Sequence, residues 1–93
     1  MLTKIEATAV YRTLIETGFA LPGQEKIDKF VEAQTSSFVI VYLVPSTFYP
    51  AQFYSTERDG GRWQVSIIGA SAEEQEIVKK TNEELLKLWN SFS

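Results

Sequence analysis

Two short stretches, one at each end of the chain, share a design that dictates where its helices stand. Thr3-Lys4-Ile5-Glu6 and Ser71-Ala72-Glu73-Glu74 each place a hydroxyl three residues ahead of a carboxylate. At that spacing the hydroxyl oxygen accepts from the backbone N–H three residues on. The carboxylate reaches back to the N–H of the hydroxyl residue, so two donors with no partner inside the helix are satisfied at once. An apolar stripe follows each motif. Behind Thr3, residues Ala7, Val10, Tyr11, Leu14 and Ile15 recur at helical spacing and Gly18 stands where a helix stops, which predicts a helix over 4–17. Behind Ser71, the stripe Ile77, Val78, Thr81, Leu85, Leu88, Trp89 and Phe92 predicts a helix over 72–91 with Leu85 buried. Glu76/Lys80 and Glu83/Lys87 are placed to pair along its wet face.

Between these helices the chain changes period. Leu21-Pro22-Gly23 breaks it, and Ile27, Phe30, Val31 and Gln34 then mark a shorter helix over about 24–34, with Glu25 and Lys29 on its wet side. Ser37 to Val44 is β-branched and aromatic throughout and ends at Pro45, which reads as a strand. Ala51 to Arg58 and Arg62 to Ile68 read as two more, joined through Asp59-Gly60-Gly61. The expected fold is α+β, a single domain over 1–93. It is a three-stranded antiparallel β-meander with helices packed on one face, in the order α-α-β-β-β-α.

A chain of 93 residues has little surplus burial, and with no cysteine it has no disulfide to supplement the core. Histidine is absent as well, so zinc, copper or haem sites would need carboxylates alone, and no cofactor is expected. The same absences remove the usual catalytic dyads and triads from a single chain, and no enzyme is expected. Glu57 and Asp59 form a solvated hairpin end, and Gly60-Gly61 lacks the surroundings of a phosphate loop. The first residues hold no apolar run followed by a cleavage site, and Phe38 to Val44 is too short to span a bilayer. A cytoplasmic protein with no membrane contact is expected. A net charge of −3 disfavours non-specific nucleic-acid binding, which depends on Lys and Arg neutralising phosphates.

The candidate contact surface comes from Phe48-Tyr49-Pro50-Ala51-Gln52-Phe53-Tyr54. Neighbouring strand residues point to opposite faces, so Phe53 and Tyr54 do not both meet the helices. A three-residue loop would oppose Arg58 to Arg62 and Phe53 to Ile67. A four-residue loop would oppose Glu57 to Arg62 and Tyr54 to Val65, gaining an ion pair and leaving Phe53 outside; this register is the one expected. Either the outer ring packs on the 45–50 loop or it meets another chain. Tyr49, Phe53, Tyr54, Arg58, Arg62 and Trp63 form an aromatic and arginine set of the kind enriched at protein interfaces. The apolar strand 38–44, at an edge, invites a homodimer. The functional expectation is a non-enzymatic protein-binding or regulatory module, with another protein chain as partner. A single-stranded nucleic-acid-binding protein is the alternative, since aromatics beside arginine also stack bases.

Overall fold

The computed structural model describes residues 2–36, 41–43, 51–56, 62–67 and 69–92. Both capping boxes form. Thr3 N donates to Glu6 Oε1 at 2.9 Å and Glu6 N to Thr3 Oγ1 at 3.1 Å, which starts helix α1, Lys4–Glu16. Ser71 N donates to Glu74 Oε1 at 3.0 Å and Glu74 N to Ser71 Oγ at 3.2 Å, which starts helix α3, Ala72–Phe92. At the end of α1, Gly18 takes a φ of +80° that an L side chain rarely adopts. Gly18 N then donates to Ile15 O at 3.1 Å and Phe19 N to Leu14 O at 2.9 Å. This is a Schellman stop, and the Phe19 side chain it turns inward is fully buried.

Helix α2 runs Gln24–Ser36, two residues beyond the expected end. It returns alongside α1 in the opposite direction: Leu2 N, just ahead of α1, donates to Gln34 O at 3.3 Å. The Tyr11 hydroxyl donates to Leu21 O at 2.9 Å and pins the connection between the two helices. Tyr11 and Phe30 then pack with ring centroids 5.1 Å apart.

The β segments are β1, Val41–Leu43; β2, Ala51–Thr56; and β3, Arg62–Ile67, antiparallel in the order β1-β2-β3. Val41 pairs with Phe53, and Phe53 with Val65. Ala51 pairs with Ile67 and Thr56 with Arg62. This register is neither of the two that loop length suggested. The pairing of Tyr54 with Val65, which would leave Phe53 outside, is corrected: Tyr54 pairs with Gln64, and Phe53 is fully buried, edge-on to Phe30 at 5.2 Å. The reason is one of magnitude. An exposed Glu–Arg pair contributes about 0–1 kcal/mol, whereas burying a phenylalanine contributes about 1.5–3 kcal/mol. The observed register sets Phe53 beside Val65 and buries Trp63, Val65 and Ile67 with it. Residues 57–61, which hold the expected Asp59-Gly60-Gly61 turn, lie outside the described residues.

The expectation of helices laid on one face of a three-stranded meander is corrected too, in the proportions of the elements and in where α3 packs. Helices of 13, 13 and 21 residues form the body, against strands of 3, 6 and 6. The run expected as a strand over 37–44 is described only at Val41–Leu43. Helix α3 does not lie flat across the strands but is anchored to the outer edge of β3. Asn82 Oδ1 accepts from Val65 N at 2.8 Å, and Asn82 Nδ2 donates to Val65 O at 3.2 Å. Val65 therefore turns both backbone groups away from β2, and one side-chain amide stands in for the missing neighbour strand. A helix covering a strand edge also hides a template for uncontrolled pairing.

Leu14, Phe19, Phe30, Phe53, Val65 and Leu85 form the fully buried heart of the molecule. Thr81 Oγ1 donates to Thr17 Oγ1 at 2.8 Å inside it, and Thr17 Oγ1 donates in turn to Thr13 O at 3.1 Å, so the polar atoms linking α3 to α1 are satisfied. On the surface Lys29 pairs with Glu25 at 3.6 Å as expected. Lys87 pairs with Glu84 at 3.2 Å, not with the Glu83 that simple spacing suggested.

Candidate functional site

Two of the six residues expected to make one contact surface, Phe53 and Trp63, face the core. Phe53 is in the core, and Trp63 is only 3% exposed. Arg62 pairs with Thr56 at the start of β3, and Tyr54 with Gln64. Tyr49 and Arg58 lie outside the described residues. Phe53 and Trp63 are thus corrected from contact residues to core residues. The alternation that brings both inward is the register described above, driven by apolar burial on the helix side.

Trp63 leads to a different surface. Its ring is the floor of an aromatic cluster on the helix α3 side of β3. Trp89 stands edge-on to it with centroids 5.0 Å apart and planes at 87°, and Phe92 approaches at 5.9 Å and 68°. Edge-to-face contact is the favoured geometry for such rings. Trp89 and Phe92 lie three residues apart on one helix face, with Leu86 three before Trp89. Trp89 is half-buried, whereas Leu86 and Phe92 are each 42% exposed. A recess of about 300 Å³ opens here, with Trp63, Asn82, Leu86 and Trp89 in its wall and Lys79 and Glu83 among its charged lining.

Each part has a local cause. Asn82 fixes the depth of the recess by tying α3 to β3 at Val65. Leu86 lies one residue beyond the buried Leu85, about 100° further round the helix, so it points off the core stripe. Lys79 and Glu83 are exposed and four residues apart, one turn of the same helix. The result is an apolar centre with charged residues of both signs beside it. Asn82 and Leu86 were not singled out by sequence reasoning. Their signals were an asparagine in the interior of a long helix and a leucine off the periodic stripe.

Among the described residues no cluster of three or more acidic side chains is placed to hold a metal ion, and no helix is long and apolar enough to cross a membrane. Tyr11 titrates above its ordinary value because burial penalises the phenolate, but it serves the core between α1 and α2 and is remote in sequence from α3. Comparison with known proteins gives no match: no family model, no curated protein and no solved structure is similar to this chain.

Proposed function

We propose that this chain is a non-enzymatic protein-binding module and that it meets its partner through the outer face of α3. The supporting observation is the exposed pair Leu86 and Phe92 flanking Trp89 on one helix face, with Leu86 and Trp89 lining the recess beside β3. Large apolar side chains grouped on one helix face lose little in the free protein when changed. Buried against a partner they contribute most of the binding, as Trp-centred hot spots do. The chain's lack of histidine and cysteine is in keeping with a binding role. Its net charge of −3 favours a protein over a phosphate backbone as the partner.

The test is affinity capture from the native host with the wild-type chain and with Leu86→Glu, each shown to have the same melting temperature. A protein recovered by the wild type at about 0.5 M NaCl, where exposed charge pairs are screened, and lost with Leu86→Glu supports the reading. Identical recoveries with both chains overturn it. Recovery of single-stranded nucleic acid that disappears with added salt transfers the assignment to the nucleic-acid alternative.

A further inference from the structure

We infer that the groove between α1 and α2 is a contact site for a second copy of this chain, related to the first by a two-fold axis. The groove has a volume of about 740 Å³ and shares no lining residue with the recess beside β3. Its two walls differ in sign. On α1, Lys4 and Arg12 line it. On α2, Asp28 and Glu32 line it, eight and four residues short of the end of that helix. All four are exposed, and among the described residues neither Lys4 nor Arg12 forms an ion pair. Asp28 accepts a hydrogen bond from Gln24 Nε2 at 2.9 Å, a neutral donor that leaves its charge in place.

A two-fold contact sets one surface patch against an identical patch, so the patch must be complementary to itself. A groove with two basic residues on one helix and two carboxylates on the other meets that condition. Turned through half a rotation, the α1 wall of one copy faces the α2 wall of its partner, and each opposite-sign contact occurs twice. The apolar part fits the same arrangement. Ile5 is 74% exposed, the most exposed large hydrophobic residue among those described, and it stands at the groove's side with Thr8, Ala9, Ile27 and Val31. Thr8 and Ala9 are small and half-buried, which leaves space for an incoming side chain. One patch thus offers both a projecting apolar group and a hollow to receive one. A partner of a single charge sign would meet one attractive wall and one repulsive wall, which disfavours a strongly basic or acidic peptide there.

The test is sedimentation equilibrium on the full chain over protein concentrations from about 1 μM to about 1 mM, the range in which weak dimers populate. Three variants are compared with the wild type: Arg12→Glu, Asp28→Arg, and the two changes together in one chain. The wild type is expected to dimerise. Each single reversal replaces two symmetric attractions by two repulsions and should weaken the dimer at least tenfold. The double reversal restores opposite signs across the axis and should recover the dimer. So should an equimolar mixture of the two single variants, in which every contact again joins unlike charges. Circular dichroism confirms that each chain keeps its helices, and the recovery of the double reversal separates a lost contact from a lost fold. A wild-type chain that stays monomeric throughout the range overturns the inference. So does a dimer that is indifferent to both single reversals, which would place self-association on another surface, such as β1.

Discussion

Replacing Asn82 by aspartate changes one nitrogen to oxygen at the point where α3 meets β3. Asn82 Oδ1 accepts from Val65 N at 2.8 Å, and an aspartate oxygen keeps that bond. Asn82 Nδ2 donates to Val65 O at 3.2 Å, and an ionised carboxylate replaces this donor with a second acceptor facing a carbonyl oxygen. The change removes one hydrogen bond, leaves a carbonyl beside a buried residue unsatisfied, and adds repulsion. At pH 7 the cost should be about 2–4 kcal/mol, a large part of the about 5–15 kcal/mol that holds a domain folded. Urea titration followed by tryptophan fluorescence reads the loss directly, because Trp63 and Trp89 touch in the fold and separate on unfolding. The midpoint should fall by about 1–2 M.

The same substitution predicts a pH dependence of definite sign. A protonated carboxyl has a hydroxyl to give Val65 O, so the fold favours the protonated form, and the introduced group's folded pKa lies above the unfolded value of about 3.9. The penalty relative to wild type is fully present above the folded pKa and shrinks as pH falls through it toward the unfolded value. Asn82→Ala, which has no proton to gain, should show a penalty relative to wild type that does not vary with pH. A cost for Asn82→Asp below about 0.5 kcal/mol at pH 7, or one that stays constant down to pH 4, would refute the strand-substitute role of Asn82.

Two further outcomes follow from the core. Leu85 is fully buried on α3, and Leu85→Ala should cost about 2–5 kcal/mol in denaturant melts; a cost near zero would mean that α3 turns another face inward. Tyr11 has its pKa raised above the ordinary 10.0 by burial, so the fold favours the neutral phenol. That contribution is fully present below the unfolded value near 10.0 and is lost as pH rises through the folded one. The stability of the wild type should therefore fall toward that of Tyr11→Phe in alkaline solution, and parallel pH curves for the two chains would count against it.

The positions of the helices were legible in the residues because the forces that set them are local. A hydroxyl and a carboxylate three apart can satisfy only their own helix start, so Thr3 with Glu6 and Ser71 with Glu74 form as their spacing requires. Gly18 likewise ends α1 by a property of its own backbone. The periodic stripe that predicted a buried Leu85 depends only on the pitch of one helix.

What the tertiary structure alone decided is which residues those local elements meet. Phe53 has an intrinsic preference for a strand but none for either of its faces. Its choice came from Phe30, 23 positions earlier on α2, whose ring it meets at 5.2 Å. An ion-pair argument drawn from Glu57 and Arg62 pointed the other way, and it lost because solvated charges are worth less than a buried ring. Once Phe53 turned inward, the register carried Trp63 in with it and took both rings out of the expected contact surface. Asn82 shows the same division from the polar side. In sequence it is a polar residue within a long helix, indistinguishable from one that faces water. Only the docking of α3 on β3 brings its amide to the open backbone of Val65, where a bond unmade in a partly buried site costs more than one left to solvent.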